Sequence, residues 1–249
     1  MNAFLDGLRG KVRRSIVHRG LGGTLLYVPQ FFAHVLKSTL SLRQRRARAE
    51  EARVQLQFDR DHHVDTAGLI ELSTLEIAGA NQDQGHYYLG SSPTLFQRLM
   101  PQLPIHHPDF TFVDYGSGKG KAMLLASLWN FKAIVGVEFA KALHDTALDN
   151  FKTFQHPGQQ CRNFTSVNMN ATHFPLPPTP LVLFFYNPFS EAVMAAVLAQ
   201  VEASWQANRR DLWICYTNPY AHAPLDLAAF LTLVAADKDF RLYRAAFRP

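Results

Sequence analysis

The chain has 249 residues, 47% of them hydrophobic and 18% charged, which supplies a packed core and excludes a wholly disordered protein. At roughly 150 residues per domain, this length suits one α/β-sized domain with an appendage. The formal charge of +5 is unevenly placed: residues 1–58 carry eleven Lys/Arg against Asp6, Glu50 and Glu51, a net of +8, while the remainder carries fourteen basic and seventeen acidic residues, a net of −3. The high isoelectric point therefore belongs to an N-terminal arm and does not mark the whole chain as nucleic-acid binding. Cys161 and Cys215 lie far apart in apolar runs, which argues against a disulfide framework or a Cys-based zinc knuckle and fits a reducing cytosol.

The first residues have no basic segment ahead of an apolar run, so no signal peptide is expected. Over 4–16 a helix is expected, with Phe4, Leu5, Leu8, Val12 and Ile16 on one side and Arg9, Lys11, Arg13 and Arg14 mostly on the other. The uncharged stretch 20–36 is 17 residues long and holds three glycines and Pro29; a spanning helix needs about 20 mostly apolar residues, so no transmembrane segment is expected. A second helical run follows from Gln30 to about Phe58, apolar at first and then arginine-rich. Basic amphipathic segments of this kind lie on anionic membranes or touch nucleic acid. The plainer reading is a solvated helical face that caps the domain.

From about residue 110 the pattern alternates between short apolar runs and helical periodicity. Strands are expected at 110–114, 133–138, 164–169, 181–186, 212–217 and 240–247, and helices at 121–129, 140–154, 191–205 and 225–235. This βαβ series predicts a doubly wound, mostly parallel sheet with a Rossmann-like α/β fold, carrying an N-terminal helical extension. The division expected is 1–58 for the basic extension and 59–249 for the α/β domain. Ligands of such sheets sit at the carboxyl ends of the strands, near the point where the strand order reverses.

The first strand runs into Asp114-Tyr115-Gly116-Ser117-Gly118-Lys119-Gly120. Glycines here turn the chain tightly into a helix whose free N–H groups would meet a ligand. The spacing fits neither phosphate-binding pattern. The third glycine of a dinucleotide fingerprint would fall at Lys121, and a Walker loop ending at Gly120-Lys121 would need glycine at 115 and Ser/Thr at 122, where Tyr115 and Ala122 stand. Asp114 would repel a pyrophosphate and suits a cationic ammonium or sulfonium group. Glu138, 24 residues on at the next strand tip, can accept both ribose hydroxyls. Asn170, after the third strand, can bond an adenine edge; otherwise it is a turn residue. A nucleoside with a charged amino-acid tail satisfies all three places, which describes S-adenosyl-L-methionine.

Over about residues 85–220 the chain resembles the class I S-adenosylmethionine-dependent methyltransferases. The residues that carry the resemblance are Val113 to Gly120, Val135-Gly136-Val137-Glu138-Phe139, Asn170-Ala171 and Phe185-Tyr186-Asn187-Pro188-Phe189. It looks most like an uncharacterised bacterial subgroup that also shows Phe58-Asp59-Arg60, Val64-Asp65-Thr66 and a Gly-x-x-Tyr segment, here Gly85 to Tyr88. The resemblance implies cofactor contacts at Asp114, Gly116, Ser117, Gly118, Gly120 and Glu138. It adds Asn170, where the family usually carries aspartate. It also implies a segment with Tyr88 and the Ser91-Ser92-Pro93-Thr94 turn folding over the cofactor, and a C-terminal hairpin where only one strand is evident here.

Methyl transfer is an in-line displacement on a methyl group that is already activated, so the protein mainly aligns the nucleophile and excludes water. The acceptor-side candidates are Tyr186, Asn187, Pro188 and Phe189. They resemble, one residue short, the (Asn/Asp)-Pro-Pro-(Tyr/Phe) turn of enzymes that methylate nitrogen. A second tip, Tyr216-Thr217-Asn218-Pro219, suggests a substrate mouth. The expectation is a cytoplasmic methyltransferase acting on an unidentified protein, small-molecule or RNA acceptor. The alternative is an inactive cofactor fold that docks on membrane or nucleic acid through residues 1–58. His62-His63 and His106-His107 have no supporting ligand spacing, so no metal is expected.

Overall fold

The computed structural model describes residues 42–71, 87–186 and 188–246. The chain divides into two units, Met1–Arg53 and Val54–Pro249, and the fold below, apart from residues 42–53, is that of the second. The helix expected over 4–16 lies outside the described residues. Of the second helical run, the described part is α1, Leu42–His62. It holds no glycine or proline and is rich in Ala, Arg, Gln and Glu, all strong helix formers. It ends at His63 in the left-handed conformation (φ 56°). The unit boundary falls before Gln55 and Phe58, which the sequence reading placed in the extension; Phe58 packs in the core and Gln55 is buried.

Two short strands, β1 (Leu69–Glu71) and β2 (Tyr87–Leu89), pair antiparallel with Tyr88 opposite Ile70. Next comes α2 (Pro93–Leu99), with Ser92 as N-cap accepting from the Leu95 N–H and Pro93 opening the helix, as the Ser-Ser-Pro-Thr turn predicts. Phe96 and Leu99 are its buried face.

The α/β series follows as β3 (Thr111–Tyr115), α3 (Lys121–Ala126), β4 (Ala133–Glu138), α4 (Lys141–Thr153), β5 (Phe164–Asn168), β6 (Leu181–Tyr186), α5 (Glu191–Ala207), β7 (Leu212–Thr217), α6 (Ala223–Leu227), β8 (Leu231–Ala236) and β9 (Phe240–Ala245). The seven strands form one sheet in the order β5-β4-β3-β6-β7-β9-β8. The first five run parallel, and β9 is antiparallel to both neighbours.

β6 sits near the middle, and its alternate residues serve opposite faces. Val182 and Phe184 join the cluster containing Phe96, Leu124 and Phe58, and Leu181, Leu183 and Phe185 join the cluster containing Val197, Val201 and Trp205. Both faces are covered, so the strand reads as an unbroken apolar run.

The region after 222 differs from expectation. The helix expected over 225–235 is the short α6 followed by β8, and with β9 it supplies the C-terminal hairpin that the sequence did not reveal. β8 is an edge strand whose middle residues Thr232, Leu233 and Val234 face solvent, so its apolar residues follow neither the helical nor the strand period. Its turn carries no Asn-Gly or Gly-Gly signal. Instead the Asp237 carboxylate accepts from the N–H groups of Asp239 and Phe240 at 2.7 and 2.9 Å. On β9 the Tyr243 hydroxyl donates to Asp226 of α6 at 2.7 Å, which fastens the hairpin to the domain.

Candidate functional site

The chain leaves β3 for β4 and β5 on one side, then crosses back to β6 and β7 on the other. This is a strand-order reversal of the kind that opens a crevice at the carboxyl ends. A pocket lies there. Asp114, Gly116, Ser117 and Gly118 line it from β3 and its loop, Glu138 and Phe139 from the tip of β4, and Leu143 from α4. Tyr186, Pro188 and Phe189 line it from the tip of β6, and Asn218 from the tip of β7. Leu89 at the end of β2 and Gly90 and Ser91 after it, with Lys121 and Ala122 of α3, complete the wall.

The glycine loop needs its glycines for different reasons. Gly116, Gly118 and Gly120 all have positive φ (75°, 53° and 83°). A Cβ on Gly116 would stand 2.7 Å from the Cβ of Pro188, so the loop and the β6 tip touch only because 116 is bare. Gly120 faces away from the pocket: a Cβ there would meet the Phe151 ring at 2.8 Å, so it is a packing glycine against α4.

The loop's own N–H groups are largely taken by hydrogen bonds within the protein. The Gly116 and Ser117 N–H groups donate to the Val137 carbonyl at 2.9 and 3.1 Å, and Gly120 to the Ser117 carbonyl at 2.8 Å. The Gly118 N–H donates to Glu138 Oε2 at 2.8 Å. Four loop donors are thus spent inside the protein.

What the pocket presents instead is acid. Asp114 and Glu138 are each only 3% exposed. Burial first, and the Glu138 charge second, push the Asp114 carboxyl well above its usual range. Burial also raises Glu138 to about 7, against the opposing pull of the N–H groups of Ala140, Gly118 and Phe139. Two carboxyls disfavoured in their ionised forms make a site that is stabilised by a cation or by donated hydroxyls.

Asn170 is not brought to the pocket. Its Oδ1 accepts from the Thr172 N–H (3.0 Å) and hydroxyl (2.9 Å), capping the short 3₁₀ turn Ala171–His173. This is the turn role that its residue type also allows. Asn187 lies outside the described residues, as does the Tyr88 side chain, whose backbone is on β2. Tyr186, Pro188 and Phe189 are at the site, with the Phe189 ring edge-on to Phe185 at 6.2 Å. Tyr216 is buried, its hydroxyl accepting from the Ala221 N–H at 3.0 Å, so of the second tip it is Asn218 that reaches the pocket, in the left-handed conformation (φ 50°).

Sequence reasoning missed the support beneath the loop. Asp59 accepts from the Thr66 N–H, the Thr66 hydroxyl and the Ala67 N–H at 2.7, 2.5 and 2.6 Å. Lys119 donates to Asp65 at 2.7 Å. Asn150 of α4 accepts from the Asp65 N–H and donates to the carbonyls of Asp65 and Lys119, all within 2.8–2.9 Å. Lys121, 1% exposed, bonds Gln55, lies 3.8 Å from Asp59 and stands 4.5 Å over the Phe58 ring. The visible signal was the Phe58-Asp59-Arg60 and Val64-Asp65-Thr66 pair, together with a lysine opening the otherwise wholly apolar helix Ala122 to Ala126.

Among the described residues no group of three or more His, Cys, Asp or Glu is placed to hold a metal, and no helix is long and apolar enough to cross a membrane. No protein-family model matches the chain, and no curated protein matches it in sequence. Among solved structures it is similar to the glycopeptide N-methyltransferase MtfA complexed with S-adenosyl-L-methionine (TM-score 0.46, 10% identity, covering 65% of this chain and 96% of that one). It is similar to TrmN from Thermus thermophilus (TM-score 0.46, 16% identity, 63% of this chain and 49% of that one). A third likeness is to a dimethyladenosine transferase from Plasmodium falciparum (TM-score 0.45, 9% identity, 64% of this chain and 62% of that one).

Proposed function

We propose that the chain is an S-adenosylmethionine-dependent methyltransferase. The observation that carries this reading is the pair of buried carboxyls, Asp114 and Glu138, beside a glycine loop that spends four of its N–H donors inside the protein. Such a pocket rejects phosphate and accepts a cationic nucleoside. Asp114 meets the charged tail, Glu138 accepts the ribose hydroxyls, and Phe139 and Leu143 pack on the base. The cofactor supplies a methyl group already activated by its sulfonium. Tyr186, Pro188, Phe189 and Asn218 hold the acceptor in line and keep water out. Free, buried Cys161 and Cys215 support a reducing compartment such as the cytoplasm.

Calorimetry with S-adenosylmethionine, S-adenosylhomocysteine, NADP and ATP tests the reading. Binding of the first two and not the last two is expected. No binding of either adenosyl ligand at millimolar concentration, or retention of NADP or ATP, overturns it.

The raised Glu138 carboxyl adds a pH dependence. In the ligand-free protein this group's stabilising contribution is full below its unfolded value of 4.5 and is lost as pH rises through about 7. Binding has the opposite sign, because the ligand prefers the ionised carboxylate. Affinity for S-adenosylmethionine should therefore rise between pH 6 and 8, with protons released on binding. Titrations in buffers of different ionisation enthalpy read that release directly, and a pH-independent affinity contradicts the assignment.

A further inference from the structure

The strip between β2 and α2 forms one wall of the pocket and has no regular structure of its own. Leu89, Gly90 and Ser91 line the pocket, and residues 90–92 belong to neither helix nor strand. Backbone carbonyls in such a stretch need partners from elsewhere. Gln55 of α1 supplies them: its buried amide donates from Nε2 to the Gly90 and Ser91 carbonyls at 3.0 and 3.2 Å. The other end of the amide is fixed as well. Its Oε1 accepts from the Lys121 ammonium, a group that can only donate, so the amide cannot be turned end for end. The strip is drawn down closely as a result. A Cβ on Gly90 would lie 2.7 Å from the Thr66 carbonyl and 3.2 Å from Gln55 Oε1, so residue 90 has to be bare for the wall to sit where it does. Gln55 is not among the pocket's lining residues, yet its two polar atoms hold three residues that are: Gly90, Ser91 and Lys121.

We propose that Gln55 is a positioning residue of this pocket: it sets the place of the 90–91 wall, and through that wall the affinity for the bound nucleoside, without touching the ligand. This rests on the cofactor reading given above. It accounts for an amide being buried at 55, at 5% exposure. A methionine there would fill a similar space and leave the Gly90 and Ser91 carbonyls without this donor.

The test is Gln55→Glu in the full chain. Glutamate has the same shape and keeps an oxygen for the Lys121 ammonium, but it has no N–H to give the two carbonyls and its charge is repelled by them. The deciding quantity is the affinity for S-adenosylhomocysteine, measured by calorimetry well below the variant's melting temperature, so that only folded protein is read. A loss of roughly tenfold or more is expected, with a melting temperature close to that of the parent because the Lys121 contact survives. A brace for the fold alone gives the reverse, a lower melting temperature with affinity within about twofold of the parent. Affinity that holds to that degree overturns the proposal whatever the melting temperature does. Gly90→Ala pushes the same wall off the Thr66 carbonyl with the amide intact and should weaken binding to a similar extent; it decides alone if the glutamate variant does not fold. If the unaltered protein binds no S-adenosylhomocysteine, the cofactor reading itself fails, and the role of Gln55 with it.

Discussion

Asparagine at position 114 will leave the protein more stable and nearly unable to bind S-adenosylmethionine. The substitution keeps the shape of a side chain that is 3% exposed and removes its charge. Losing a charge-assisted contact to the ligand's ammonium should weaken binding by about 2–3 kcal/mol, on the order of 100-fold. Stability moves the other way because the carboxyl at 114 is pushed well above its usual range by burial and by Glu138. A carboxyl raised in the folded state contributes fully below its unfolded value of 3.8 and loses that contribution as pH climbs through the raised one. The melting temperature of the ligand-free variant should accordingly exceed that of the parent at pH 8, and the gap should close in acid. Calorimetry and thermal unfolding at several pH values read both effects. Undiminished affinity in the variant would remove Asp114 from the site.

Alanine at position 150 carries the second large expectation, and this one is wholly destabilising. Asn150 is 3% exposed, and its amide joins α4 to the Asp65 backbone and to the Lys119 carbonyl through three hydrogen bonds. Truncation leaves one donor and two acceptors stranded, the Lys119 carbonyl in a buried place and the two Asp65 groups in a part-buried one. Each stranded group costs about 1–3 kcal/mol, and the shared site lets part of that relax, so a loss of about 2–4 kcal/mol is expected in denaturant unfolding. Lys119 sits inside the glycine loop, so amide exchange at 116–120 should quicken in the same variant. A variant as stable as the parent would show that the 64–67 segment is not anchored through α4.

The fold was legible where burial is two-sided. The edges of β4, β6 and β7 follow directly from continuous apolar runs, because a strand covered on both faces cannot tolerate polar interruption. The hairpin was not legible, since Leu233 and Val234 are apolar residues facing solvent and a carboxylate closes the turn in place of a glycine. Asp114, Gly116, Gly118 and Glu138, which line the pocket, were readable because a strand tip followed by glycines leaves few alternatives, whereas Gly120 packs on α4 instead. Asn170 was not settled, because an asparagine after a strand serves a turn as well as a ligand. The network of Gln55, Asp59, Asn150 and Lys121 was hidden for a different reason. Its members are separated by up to 95 residues in sequence, and no local spacing records which of them meet.

The strand order has a consequence for how the molecule is made. β8 leaves the ribosome before β9, yet it touches the sheet only through β9. Until that later strand emerges, the nascent chain carries β8 as an unpaired ribbon bearing Leu233 and Val234. Only residues 237–239 separate the two strands, so the wait is short and the pair closes as a local hairpin before it docks on β7.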